Sequence, residues 1–235
     1  MLFSSNILKF NSCMGYCLCK SIYKENMLMK KILLFTTIGI LAGTVANADS
    51  KTSLSYVSTS ADLTFGSATL ALDMDGFEIE TIIDYYEQFF LIGSYQKLSG
   101  TLSAALSGTT IASGNLDYDA LKYGVGLNLI NDLDRQAGTG SNLRTAILYS
   151  KSVLGKVSAD NTLVVINYDI ALAEKVSMDA TFSGVLDDFN PAYGVGVKYS
   201  LGGGDLFARY AFTEDSFSGI KYEESGISIG YSYNF

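Results

Sequence analysis

Residues 226–235 read Gly-Ile-Ser-Ile-Gly-Tyr-Ser-Tyr-Asn-Phe. Ile227, Ile229, Tyr231, Tyr233 and Phe235 fall at every second position, with Gly226, Ser228, Gly230, Ser232 and Asn234 between them. Successive side chains of a strand point to opposite faces, so this segment has one apolar face and one small, polar face.

The same alternation recurs toward the N-terminus. Phe77, Ile79, Thr81 and Ile83 oppose Glu78 and Glu80, and Leu121, Tyr123, Val125, Leu127 and Leu129 oppose Lys122, Gly124, Gly126 and Asn128. Leu143, Thr145, Ile147 and Tyr149 oppose Arg144 and Ala146, and Val164, Ile166, Tyr168, Ile170 and Leu172 oppose Asn167 and Asp169. Val176, Met178, Ala180 and Phe182 oppose Ser177, Asp179 and Thr181. Tyr193, Val195, Val197, Tyr199 and Leu201 oppose Gly194, Gly196, Lys198 and Ser200, and Leu206, Ala208, Tyr210 and Phe212 oppose Phe207 and Arg209. The run 89–98 is a strand whose two faces are both apolar at its start.

Charge separates the possible architectures. The apolar faces of these eight two-faced strands carry no charged residue, whereas the opposite faces carry Gly, Ser, Asn and several charges. A lysine or arginine facing lipid at mid-bilayer costs ~2–4 kcal/mol, so an uncharged outer face is what a membrane barrel requires. A β-sandwich would wet the polar face instead. Its turns are usually marked more strongly than here, where Pro191 is the only proline. The pattern predicts an all-β, transmembrane, antiparallel up-and-down barrel, apolar outside and polar inside.

Nine strands follow from residue 76 onward: 76–84, 89–98, 120–130, 142–151, 161–172, 175–185, 192–201, 205–213 and 224–235. Barrels of this kind have even strand numbers. A tenth strand is therefore expected at 53–65, in preference to 68–72; ten strands is the expected count and eight the alternative. Connections 85–88, 173–174 and 202–204 are short, while 99–119, 152–160 and 214–223 read as longer outer loops. The 131–141 connection is long for the side where short turns belong.

Residues 27–48 carry the parts of a secretory signal peptide: Lys30-Lys31, an apolar run over 32–45, and Ala46-Asn47-Ala48 as the cleavage site. The 14-residue run is shorter than the roughly 20 residues of a spanning helix. Residues 1–26 read as a mis-assigned leader before a true start at Met27, leaving 49–235 as the barrel domain. Cys13, Cys17 and Cys19 all lie in that leader. The mature part carries 11 basic and 23 acidic side chains, a net of −12. The chain has no His and no Trp. A disulfide framework, a His-based metal site and Ser-His or Cys-His catalysis are thereby excluded, and an acidic chain repels nucleic acid. No cofactor or metal is expected.

The mature chain resembles the small outer-membrane β-barrels of the porin-like superfamily of Gram-negative bacteria. The ending Tyr231-Ser232-Tyr233-Asn234-Phe235 carries the resemblance, matching that family's terminal Phe preceded by apolar residues at alternate positions. The resemblance implies outer-membrane insertion among its lipids, export by the secretion translocon, and recognition of Ile227, Ile229, Tyr231, Tyr233 and Phe235 by the barrel-assembly machinery. It implies a monomer with its C-terminus in the periplasm, and no particular activity, because fold does not settle function. Enzymes among such barrels rely on a His base, which is missing at every position here.

The expected lumen charges are Glu78, Glu80, Asp169 and Asp179 against Lys122, Arg144, Lys198 and Arg209, four acids to four bases. Asp169, Asp179, Lys198 and Arg209 lie on successive strands and suit one paired network, since a charge in a narrow interior must be paired or hydrated. Such a network either plugs the barrel or lines a narrow water path. Asp117, Asp119, Asp160, Asp187, Asp188, Glu214, Asp215, Glu223 and Glu224 make the expected outer loops acidic, and an adhesin-like role for those loops is the alternative to a pore. Tyr-Gly-Val-Gly occurs at 123–126 and 193–196 and reads as glycine making room for bulky lumen neighbours such as Arg144 or Arg209. Asp73-Met74-Asp75-Gly76 reads as an acidic turn without the ligands of a calcium loop.

Overall fold

Alternating β-branched and aromatic residues favour extended chain, and only a closed wall leaves no unpaired strand edge in lipid. The computed structural model describes residues 50–85, 88–186, 191–217 and 220–235, and they form such a wall. Its ten strands are β1 (Ser50–Phe65), β2 (Ala68–Tyr85), β3 (Phe89–Leu106), β4 (Thr109–Asn131), β5 (Ser141–Leu154), β6 (Val157–Ala173), β7 (Val176–Val185), β8 (Pro191–Ser200), β9 (Gly204–Phe217) and β10 (Ile220–Asn234). Each pairs antiparallel with its sequence neighbours, and β1 pairs with β10 to close the barrel. Tyr56 sits opposite Ile229 in that seam and Leu54 opposite Tyr231, which fixes the alternating C-terminal segment as the last stave.

The tenth strand is the one expected at 53–65, lengthened at its start. Residues 68–72 instead begin β2. Other expectations need correction. The supposed acidic turn at 73–76 is the middle of β2, with Met74 buried. The supposed loops at 99–119, 152–160 and 214–223 are mostly strand, because β3–β4, β5–β6 and β9–β10 continue as tall hairpins. The β3–β4 hairpin turns on Ser107 and Gly108 alone, both with positive φ (50° and 80°), the geometry of a two-residue turn matching strand twist. The expected leader 1–26, the signal 27–48 with Ala46 and Ala48, and Asp187 and Asp188 lie outside the described residues.

Around mid-wall the large exposed side chains are Leu54, Val125, Ile147, Ile166, Val195, Val197 and Ile229. On β8, ten outward-alternating residues at ~3.3 Å each, tilted by ~40°, span roughly 25 Å, the height of a membrane barrel's apolar band. Aromatic side chains bound that band. Toward the hairpin end Phe77–Tyr95, Tyr123–Tyr149, Phe182–Tyr193 and Tyr193–Phe212 pack with centroids 6.4, 5.3, 5.6 and 5.5 Å apart. At the terminal end Tyr233 meets Phe235 at 4.9 Å, near exposed Tyr199 and Tyr231. The ambiguous run 89–98 resolves with Phe90 and Leu98 buried, 3% and 2% exposed, and Phe89 and Leu91 outward.

Two glycines set how closely β2 and β3 approach. A Cβ on Gly76 would fall on the carbonyl oxygen of Lys97, and one on Gly100 on that of Asp73. At Gly194 the nearest atoms lie 3.6 Å from such a Cβ, an ordinary contact. Gly76→Ala should therefore cost about 1–3 kcal/mol of overpacking, while Gly194→Ala leaves stability nearly unchanged. Urea unfolding of the refolded barrel measures both, and equal midpoints would contradict the β2–β3 packing.

Candidate functional site: a charge chain, a lumen cavity and an apolar cluster

Register brings the lumen charges together in a way that demands compensation. Asp169 on β6 lies directly opposite Asp179 on β7, and like charges so placed repel. Lys198 of β8 answers both: its Nζ donates to Asp169 and lies 3.5 Å from Asp179 Oδ1. Asp179, Gly196 and Arg209 stand in register across β7, β8 and β9. The bare face of Gly196 lets Arg209 Nε reach Asp179 Oδ2 at 3.0 Å, and a Cβ there would strike the Asp179 carboxylate. One Tyr-Gly-Val-Gly glycine thus makes room for Asp179. In the other copy, Gly126 makes room for the ring of Phe90, over which the Arg144 guanidinium stacks at 5.4 Å.

The connection at 132–140 supplies the centre of the chain. Asp134 Oδ1 accepts from the amides of Gln136 and Ala137, both at 2.9 Å, and Asp132 Oδ1 accepts from the Ser141 amide at 2.8 Å. Gly138 and Gly140 adopt φ of 69° and 80°, and the Lys175 amide donates to the Arg135 carbonyl at 2.6 Å. So pinned, Arg135 turns its planar fork into the barrel end. Nη2 reaches Asp169 at 2.7 Å, Nη1 reaches Asp205 at 2.9 Å, and Nε donates to Ser177 Oγ at 3.2 Å. Lys51 Nζ pairs with Asp205 at 2.9 Å, and Ser200 Oγ donates to its other oxygen at 2.8 Å. The result is one unbroken line, Lys51–Asp205–Arg135–Asp169–Lys198–Asp179–Arg209, at the terminal end of the lumen.

Of the eight sequence-expected lumen charges, Asp169, Asp179, Lys198 and Arg209 belong to this line. Arg144 stands apart with Asp84, Nη2 to Oδ2 at 3.1 Å. Glu78, Glu80 and Lys122 lie higher, in electrostatic reach of one another; among the described residues they make no ion pair within 4.0 Å. Lys51, Asp84, Arg135 and Asp205 were missed. Asp84 shares the parity of Glu78 and Glu80, a signal that was there to use. Arg135 sits in irregular chain, where alternation says nothing; only the unusual length of that connection pointed to it.

Lys51, Arg135, Asp169, Lys198 and Arg209 of the charge line themselves border a lumen cavity of about 1000 Å³, together with Glu78, Glu80, Phe90 and Arg144. Beyond it the interior turns apolar. Buried Val57, Met74 and Leu98 cluster inside the wall, with Leu72, Tyr118 and Leu154 packed against them. A second cluster, Phe90, Ala146 and Leu148 with Ile82, Ile92, Leu163 and Val165, forms part of the cavity wall itself. Outside the membrane band, hydrogen bonds to Glu223 and Glu214 hold the Lys221 ammonium above its ordinary range. Burial, then the Glu224 carboxylate that accepts its hydroxyl, pushes Tyr222 up.

A closed wall with an apolar outer band between aromatic girdles, and with the charges at the level of that band turned inside, makes this chain a membrane-spanning β-barrel protein. Among solved structures it is similar to the translocator domain of the autotransporter NalP from Neisseria meningitidis (12% identity, 92% of this chain and 98% of that one, TM-score 0.45). It is also similar to the outer membrane protease OmpT of Escherichia coli (11%, 80% and 96%, 0.48). A third is Ail, the attachment invasion locus protein of Yersinia pestis (13%, 79% and 99%, 0.35–0.36 in two structures; 11% in the second). No family model matches the chain, and no curated protein matches it.

Removing Arg135 leaves two buried carboxylates each with one cation fewer. Arg135→Ala should lower unfolding free energy on the order of 3 kcal/mol. Glu174→Ala, which breaks a 3.8 Å pair on the surface, should cost under about 1 kcal/mol. Equal losses in urea unfolding would show that the charge line adds nothing.

Proposed function

We propose that this chain is a non-enzymatic, porin-like outer-membrane barrel whose lumen is closed at two levels, so that it does not serve as an open diffusion pore. The observation carrying this reading is the apolar cluster of Val57, Met74 and Leu98 inside the wall, in series with the charge line. The aliphatic side chains of this cluster offer an ion no ligand in exchange for its water, and apolar constrictions block conduction by dewetting. At the other level Arg135 ties β6 to β9 across the barrel end. The terminal end faces the periplasm in this reading, the hairpins face outward, and the C-terminal segment is the handle for the assembly machinery. The barrel acts as a monomer. The complete lack of His supports a non-enzymatic role, since it removes the usual base for acyl or peptide-bond chemistry.

Planar-bilayer recording of the refolded mature chain tests the reading. Wild type should show no unitary conductance. Leu98→Ser combined with Arg135→Ala should open leak, because both levels are then breached. Stepwise conductance from wild type, altered by Arg209→Ala or Asp179→Ala, would overturn closure and make this a narrow pore with its constriction at those residues.

A further inference from the structure

The outer hairpins invert the sidedness of the wall. On β1, Ser58, Ser60 and Asp62 continue the outer face, while Leu63 and Phe65 fall on the inner one. On β3, Lys97, Ser99 and Thr101 lie outside, and Leu102 and Leu106 follow Leu98 inside. Above the aromatic girdle the apolar face is therefore concave and faces the barrel axis. It is not fully covered: Phe65 is 43% exposed, Leu106 50%, Val157 71% and Ile220 39%. Four of the outer hairpins thus present a large apolar side chain, away from the membrane band, toward one central space.

That concave sheet also has an open side. β4 pairs with β3 along its whole outer length, but its pairing with β5 begins only at Tyr118. Along 109–116 the opposite edge of β4 has no strand partner among the described residues. Residues 109–116 read Thr-Thr-Ile-Ala-Ser-Gly-Asn-Leu, without charge or proline, and the one irregularity is a bulge at Ile111, so the regular part of the edge runs from Ala112 to Leu116. Native edges are normally guarded by such features. Its inward residues Ala112 and Gly114 are small, which leaves space beside Leu102 and Leu116. The charge of the same region is one-sided. Among the described residues beyond the girdle stand ten carboxylates and four lysines.

We propose that the hairpin end docks an extended, basic polypeptide segment with one apolar side. The segment adds as a strand to the free edge of β4 at 109–116, lays its apolar side chains on the concave wall near Leu102 and Leu106, and meets the acidic rim with its basic ones. The open backbone edge selects a polypeptide over a small amphiphile, because its row of N–H and C=O groups, without a strand partner among the described residues, matches the hydrogen-bonding ladder of an added strand. The charge balance selects a basic segment. This docking does not depend on whether the lumen conducts.

The test uses the full mature barrel in nanodiscs of zwitterionic lipid and a capped, labelled nine-residue peptide alternating Lys and Val. Two controls replace its Val by Ser or its Lys by Glu. The Lys-Val peptide should bind, the two controls should not, and empty nanodiscs should bind none of them. Leu102→Ser with Leu106→Ser should weaken binding about tenfold or more, as expected when side-chain pockets set strand specificity. Successive N–H groups of a strand point to opposite sides, so one of Ala112→Pro and Ser113→Pro removes a free-edge donor while sparing the bond to β3. That variant should abolish binding, with heat-modifiable gel mobility confirming an intact barrel. Equal binding by the Lys-Ser peptide, equal uptake by empty nanodiscs, or unchanged affinity in both folded proline variants would each overturn the proposal.

Discussion

Everything in this molecule depends on the seam between β1 and β10. Strand backbone in hydrocarbon must satisfy each N–H and C=O within the protein, and a sheet with two ends cannot. The seam joins fifteen residue pairs from Lys51–Asn234 to Phe65–Ile220, and the Phe235 amide adds a bond to the Ser50 carbonyl at 2.8 Å. The alternating C-terminal segment therefore does two things at once. It presents Ile227, Ile229 and Tyr231 to lipid, and it supplies the one partner without which β1 would be an open edge.

Closure creates an interior, and the interior then imposes its own requirements. Side chains too polar for lipid converge on a narrow space where an unpaired charge is costly. The protein resolves this in layers. At the terminal end, opposed Asp169 and Asp179 are reconciled by Lys198, and the line extends through Arg135 and Asp205 to Lys51. Toward the hairpins the interior becomes aliphatic around Val57, Met74 and Leu98. Two solutions to the same packing problem, one ionic and one apolar, lie in series along a single axis.

Much of the fold was legible in the sequence, because period two is a geometric property of strands and lipid excludes charge from one face. Strand number, antiparallel order and the lumen placement of Asp169, Asp179, Lys198 and Arg209 all follow from that rule. The rule fails where the solvent changes. Above the girdle, water lies outside the wall, so Asp73 and Asp75 face outward and Met74 inward. A reading that keeps apolar residues outside finds loops there instead of hairpins. It fails again at Arg135, whose position is set by hydrogen bonds of Asp132 and Asp134 and by positive-φ glycines, none of which has a period.

The charge line also links distant parts of the chain in time. Its members come from β1, the β4–β5 connection, β6, β7, β8 and β9. A partly assembled sheet holds some of these charges without their partners, and each such state carries a penalty that vanishes only when the last contributor arrives. Hairpins formed one by one gain little from the line, whereas the finished ring gains all of it. The line thus works as a coincidence requirement, favouring registers in which β1, the β4–β5 connection and β6 to β9 all meet at once.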